Sequence, residues 1–161
     1  MRALRLLLVL PLLAPACARR PPYEGRSVAE LERMLADPSP KVQVQGAFGL
    51  GRHGPAARPA VPALVRALSS PEVLVRQQAA AALGEVGPAA EEAVPALAVA
   101  LGDGEWAVRR QAALALGGIG PAARAAEAPL RKCARDPSGP VRKAALEALA
   151  KVAGPKAAEK R

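Results

Sequence analysis

Few side chains in this 161-residue sequence are of the types that carry out chemistry. There is one histidine, His53, and there are two cysteines, Cys17 and Cys133. Acid–base or nucleophilic catalysis needs several polar groups that converge on one place. The sequence shows no metal-ligand spacing, no nucleophile motif and no phosphate-binding glycine loop. We therefore expect a noncatalytic protein with no catalytic residue, no bound metal and no cofactor.

Arginines recur at a fixed interval, since Arg76, Arg109 and Arg142 are each separated by 33 residues. Apolar residues keep the same period: Leu31, Leu64, Leu97 and Leu130; Val42, Val75, Val108 and Val141; Leu50, Leu83, Leu116 and Leu149. A period of this length indicates a solenoid, in which each copy buries its apolar face against its neighbours. We therefore interpret the three arginines as structural residues rather than anion ligands.

The positions of His53 and Cys133 in the repeat indicate what these two side chains do. His53 aligns with Val86, Ile119 and Val152, and Cys133 aligns with Met34, Ala67 and Ala100. We read His53 as a side chain of the terminal repeat that need not be fully buried. Cys133 is expected to be a small buried residue, with a reactive or metal-bound thiol as the alternative.

Each copy predicts two helices. Ser27 and Glu30 have the spacing of a capping box at the start of the first helix, and Ser39 followed by Pro40 suits the start of the second. Gly-Pro pairs at 54–55, 87–88 and 120–121 are expected to end the second helices, and we interpret the glycines as helix stops. The sequence thus predicts an all-α solenoid of about four helix-pair repeats over residues 27–153.

Two segments carry a family resemblance: LGEVGPAAEEAVPALAVAL at 83–101 and EWAVRRQAALALGGIGPAA at 105–123. They resemble bacterial HEAT-like repeats, the type also called phycobilisome-lyase-like. The resemblance covers residues 27 to about 153 and implies antiparallel helix pairs, with the first helices on the convex side and the second helices on the concave side. It also implies a structural ladder of polar residues between repeats, made here by Asp103 with Arg109 and Asp136 with Arg142. Gln43 in the first copy and Ser70 in the second depart from the pattern, so we expect a partial ladder.

The N-terminus has the pattern of an export signal. A basic start and an apolar run at 6–13, too short to span a bilayer, predict a signal peptide over residues 1–16. Cys17 resembles the lipid-modified cysteine of a bacterial lipobox, although Ala14 stands where a leucine is usual. The alternative is ordinary signal-peptidase cleavage after Ala16 or Ala18. Residues 17–26 are then a tether, and residues 154–161 are a basic C-terminal tail.

These features predict an exported protein of the cell envelope. With a lipid on Cys17 it would be anchored to a membrane, at the periplasmic face of the outer membrane if the resemblance of Ala18 to that sorting pattern holds. Without the lipid it would be periplasmic or secreted.

The distribution of charge along the chain indicates whether nucleic acid is an expected partner. The net charge is +9, but residues 27–150 contain 14 basic and 12 acidic side chains, so the repeats are nearly neutral and the basicity lies mainly in the tails. Nucleic acid is therefore disfavoured as a partner.

The solvent-facing stripe of the second helices is the candidate binding surface, because it changes from apolar to cationic along the array. Its candidate residues are Phe48, Trp106, Arg110, Leu114 and Lys143. This gradient suits a protein or peptide segment with an apolar end and an acidic end. Alternatively, Phe48 only fills space at the first repeat and Trp106 only covers a seam between helices.

We therefore expect an exported, lipid-anchored scaffold or interaction module. The alternatives are a lyase-like or lyase-accessory HEAT protein and a nucleic-acid-binding HEAT-like domain.

Overall fold

The computed structural model describes residues 21–154, and every regular element in that range is a helix. The first helices of the four copies are α1 (Val28–Leu35), α3 (Val61–Ala67), α5 (Val94–Ala100) and α7 (Glu127–Cys133). The second helices are α2 (Pro40–Arg52), α4 (Val73–Val86), α6 (Trp106–Ile119) and α8 (Gly139–Ala153). The expected all-α solenoid of about four helix pairs is confirmed. The predicted signal peptide at 1–16, Cys17 and residues 155–161 lie outside the described range.

The two-helix division of each copy needs a correction. In the last three copies a 3₁₀ helix precedes the first α-helix, at Gly54–Ala60, Gly87–Ala93 and Gly120–Ala126. Gly87 has a φ of +69°, which turns the chain out of α4 before Pro88. Pro95 then occupies the second position of α5, where its missing N–H costs nothing, so the α-helix begins there rather than earlier.

The predicted cap at the start of α1 is present, whereas the predicted cap at the start of α2 is not. The capping box is present, because Ser27 Oγ accepts the Glu30 N–H and the Glu30 carboxylate accepts the Ser27 N–H at 2.8 Å. Ser39 does begin α2, but its hydroxyl caps nothing. Its backbone N–H instead donates to Asp37 Oδ1 at 2.8 Å. The turn before α2 is therefore held by a carboxylate two residues upstream.

The core is built from the periodic leucines together with many alanines. Leu50, Leu83 and Leu116 are fully buried, whereas Leu149 and Val42, at opposite ends of the array, are only partly buried. This difference follows from stacking, because an end residue lacks a neighbouring copy on one side.

Successive second helices approach unusually closely. A Cβ placed on Gly84 would lie 2.9 Å from Ala115 Cα, and one on Gly117 would lie 3.1 Å from Ala148 Cα. The expectation that the glycines are helix stops is therefore wrong for these positions, which are spacers inside helices. Successive first helices touch little, so the second helices form the more tightly packed layer, which corresponds to the concave side that the HEAT-like resemblance implies.

None of the helices between residues 21 and 154 has the length and apolarity needed to cross a bilayer.

The close helix spacing can be tested at Gly118, where a Cβ would lie 2.6 Å from the carbonyl oxygen of Gly84. Alanine favours a helix over glycine by about 1 kcal/mol, but overpacking against backbone costs about 1–3 kcal/mol. We expect Gly118→Ala to lower the free energy of unfolding, measured by urea denaturation. Gly104→Ala is the control, because a Cβ there meets nothing within 4 Å. A Gly118→Ala protein as stable as this control would contradict the spacing.

Candidate functional site

The repeating arginines form ion pairs that join one copy to the next. Arg76 Nε lies 2.8 Å from Asp103 Oδ2, and its Nη2 lies 3.0 Å from Oδ1. Arg109 makes the same two bonds to Asp136, at 2.8 and 3.1 Å. The Nη1 atom of each donates to two carbonyls in its own turn. Each arginine therefore stabilises the turn of its own copy and binds the aspartate in the turn of the next copy through a bidentate contact.

The pairing across copies changes the expected ladder. Asp103 pairs with Arg76, although the copy that contains Arg76 has Ser70 in place of an aspartate. Gln43 and Ser70 both fall at the joint between the first and second copies, so the two departures remove one rung. Gln43 instead donates to the carbonyl of Asp37 at 2.7 Å.

Arg142, the last arginine of the period, has half of these bonds. Its Nη1 donates to the carbonyls of Asp136 and Pro137 at 2.8 and 2.9 Å. Within residues 21–154 no carboxylate meets its Nε or Nη2.

The ion pairs determine the protonation of their members. The hydrogen bond from Arg109 holds the pKa of Asp136 below its usual value. Burial opposes ionisation of Asp103, but the hydrogen bond from Arg76 and the Glu105 N–H outweigh it and lower the pKa of that carboxyl. The pKa of the Cys133 thiol is raised by burial and by the nearby Asp136 carboxylate, which favours the thiol form. Cys133 is buried, as its column predicted.

The concave surface is formed by the outward side chains of the second helices. Its members are Val44 and Phe48 on α2, Gln77 and Ala81 on α4, Trp106, Arg110 and Leu114 on α6, and Lys143 and Glu147 on α8. Trp106, Arg110 and Leu114 follow one another at intervals of four, so they lie on one helix face.

Three predicted binding residues meet in one place. Arg110, Leu114 and Lys143 line a pocket of about 370 Å³ between α6 and α8, together with Glu147. Trp106 lies one turn before Arg110, and half of its surface, 50%, is exposed. The Lys143 ammonium is 4.0 Å from Glu147, and both side chains are exposed, so solvent screens this contact.

Phe48 lies apart from that pocket, because α4 intervenes. Its ring makes an edge contact with Tyr23, with ring centroids 4.9 Å apart, and it remains 37% exposed. The segment 21–26, which the sequence assigned to a tether, thus packs against the first copy. Nearby, His53 is exposed and its Nε2 lies 3.0 Å from the carbonyl oxygen of Arg26. Sequence reasoning missed Tyr23, although it is the only tyrosine and lies four residues before the first helix cap.

A family model described as HEAT repeats matches residues 28–102 and 94–160. The chain belongs to the HEAT-repeat family. No curated protein sequence matches it. Among residues 21–154, no three His, Cys, Asp or Glu side chains are grouped so that they could hold a metal ion.

Two solved structures are similar to this HEAT-repeat chain. An engineered protein superposes with a TM-score of 0.64 at 25% identity, covering 78% of this chain and 62% of the other. Human deoxyhypusine hydroxylase, in complex with glycerol, gives a TM-score of 0.64 at 34% identity, covering 83% of this chain and 46% of the other. The chain therefore spans less than two thirds of either protein. The second is an enzyme, so this fold is used for catalysis as well as for scaffolding.

The lowered pKa values of Asp103 and Asp136 predict acid sensitivity. Their ionised forms stabilise the folded chain fully above the unfolded pKa of about 3.9, and this stabilisation is lost as the pH falls through the lower folded values. We expect Asp103→Asn with Asp136→Asn to cost roughly 1–2 kcal/mol per site at pH 7. The pH dependence of unfolding below about pH 4 should also become shallower, measured by urea denaturation across pH.

Glu127→Gln is the control for this measurement, because the Glu127–Arg131 pair lies within one helix and is more exposed than the two Arg–Asp pairs. It should cost less than about 0.5 kcal/mol. If the free energy of unfolding fell as sharply below about pH 4 in the double variant as in the native chain, the role of the two ion pairs would be contradicted.

Proposed function

We propose that this HEAT-repeat protein is a noncatalytic interaction module that holds an acidic, partly apolar segment of another protein on its concave surface. HEAT repeats commonly mediate protein–protein contacts, and the observation that carries the proposal is the pocket between α6 and α8. Arg110, Leu114 and Lys143 line it, together with Glu147. Two cations beside an apolar side chain suit a segment that carries carboxylates next to an apolar residue.

Trp106 and Phe48 extend this surface in two directions. Trp106, half exposed beside Arg110, offers an aromatic anchor of the kind that dominates interface energies. Phe48 supports an apolar end of the partner two repeats away, and Tyr23 holds its ring in place. Because the Arg–Asp pairs fix the second, third and fourth copies to one another, the part of the surface on α4, α6 and α8 is formed before the partner binds.

The noncatalytic role is supported by the positions of the few reactive groups. His53 is exposed in the first copy and bonds a backbone carbonyl. Cys133 is buried in the fourth copy, with its Sγ 4.0 Å from the carbonyl of Leu101. Neither side chain lines the pocket that contains Arg110 and Lys143.

Charge reversal tests the binding surface. Arg110→Glu with Lys143→Glu should repel an acidic segment and weaken partner binding by about 10- to 100-fold, measured by affinity capture from envelope extract followed by titration of the captured protein. Arg58→Glu with Arg124→Glu is the matched control, because it makes the same change in net charge on the exposed connecting segments. Adding Phe48→Ala to each shows whether the partner reaches α2. Equal capture by both double variants would refute the assignment of this surface.

Export and lipid anchoring are further parts of the proposal, and they rest on sequence. The basic start, the apolar run at 6–13 and the small residues around Cys17 support a signal peptide with a lipid-modified cysteine. The lipid would anchor the repeats to a membrane surface, at the periplasmic face of an outer membrane, while leaving their fold unchanged.

Cys17→Ala tests the anchor. The native protein should fractionate with membranes and have an N-terminal mass that corresponds to a diacylated Cys17, whereas Cys17→Ala should become soluble or remain uncleaved. Cys133→Ala is the control, because it removes the other cysteine and should leave fractionation unchanged. An unmodified N-terminus at Cys17 or Arg19 in the native protein would instead indicate ordinary signal-peptidase cleavage.

A further inference from the structure

The outer side of α8 repeats a face that every earlier second helix buries. On α4 and α6 this face is formed by Arg76, Ala80 and Gly84, and by Arg109, Ala113 and Gly117, and the following helix covers both sets. The corresponding residues of α8 are Arg142, Leu146 and Ala150, which we call the end face. Leu146 is 58% exposed, and Ala150 is exposed as well.

The guanidinium of Arg142 is fixed in the orientation that binds a carboxylate in the other copies. Its Nη1 is fixed by the carbonyls of Asp136 and Pro137, as the Nη1 of Arg109 is fixed by Asp103 and Gly104. In Arg109 the remaining donors, Nε and Nη2, grip the aspartate of the next copy. The same two donors of Arg142 meet no carboxylate within residues 21–154. The end face therefore offers the donors of a bidentate contact without the carboxylate that would accept from them.

The other end of the array is closed. Gly49 aligns with Ala82, Ala115 and Ala148, the positions on which a preceding second helix packs. In the first copy Tyr23 takes that place, since a Cβ on Gly49 would lie 2.9 Å from Tyr23 Cβ. A second copy that continued the array would have to place its Gly49 against Ala150 of the first. The Tyr23 of that second copy already covers its Gly49, so the contact is blocked. A second copy of this chain therefore cannot cover the end face without displacing its own Tyr23.

We propose that the end face binds a helix pair of another protein that carries an aspartate in the turn between its helices and a small residue on its second helix. The aspartate would accept from Nε and Nη2 of Arg142, and the small residue would pack on Ala150. Leu146 stands where Ala80 and Ala113 stand in the buried faces, so the partner must leave room for a larger side chain. This requirement separates the partner from a further copy of the same repeat.

This site is distinct from the concave surface, so the two can fail independently. A photoreactive benzophenone amino acid in place of Leu146, in the full chain expressed in its host, is the probe. The same amino acid in place of Leu74 is the control, because Leu74 is also exposed and lies on a different copy. We expect a specific adduct from position 146 whose partner peptide maps to a helix pair with an aspartate in its turn.

Arg142→Gln should lower the yield of this adduct by more than about tenfold, and Asp→Asn in the partner should do the same, with the two changes together adding little. Arg110→Glu with Lys143→Glu should leave the adduct unchanged, which separates this site from the concave surface. Helicity and thermal unfolding of the Arg142→Gln protein show that it is folded.

Other results would overturn the proposal. These are no adduct beyond the Leu74 control, an adduct only with a second copy of this chain, an internal adduct with residues 155–161, and an adduct whose yield does not depend on Arg142.

Discussion

Successive second helices lie so close together that a residue between them has space for one side-chain carbon or none. Gly84 and Gly117 face the backbone of Ala115 and Ala148, and larger side chains would force the helices apart. This spacing brings Arg109 within reach of the next copy's aspartate. It also brings outward side chains from neighbouring helices, such as Arg110 and Lys143, around one pocket. The ion pairs and the candidate binding surface both depend on it.

Much of the fold could be predicted from the period alone. The leucine and valine columns gave the number of copies, and the capping box at Ser27 gave the first helix start, because both signals are local or strictly periodic. The prediction that glycines stop helices holds for Gly87, which precedes a proline, and fails for Gly84 and Gly117, which do not. What distinguishes Gly84 is the neighbouring backbone, which no local pattern contains.

The candidate site was predictable in composition and less so in arrangement. Arg110, Leu114 and Lys143 were picked from their places in the period, and the structure puts them together because that period is also the stacking direction. Phe48 was grouped with them, yet it contacts Tyr23 at the other end of the array. The partner of each ladder arginine was also beyond the sequence pattern, since an aspartate one copy away is as regular in spacing as one in the same copy.

The missing rung between the first two copies gives the array an uneven resistance to bending. Two joints are clamped by a bidentate ion pair in addition to packed helices, while the joint at Gln43 and Ser70 has the packing without the clamp. An elastic rod with such a joint flexes there first and transmits motion stiffly beyond it. We therefore expect the array to bend first between the first and second copies, while the second, third and fourth copies keep their relative positions.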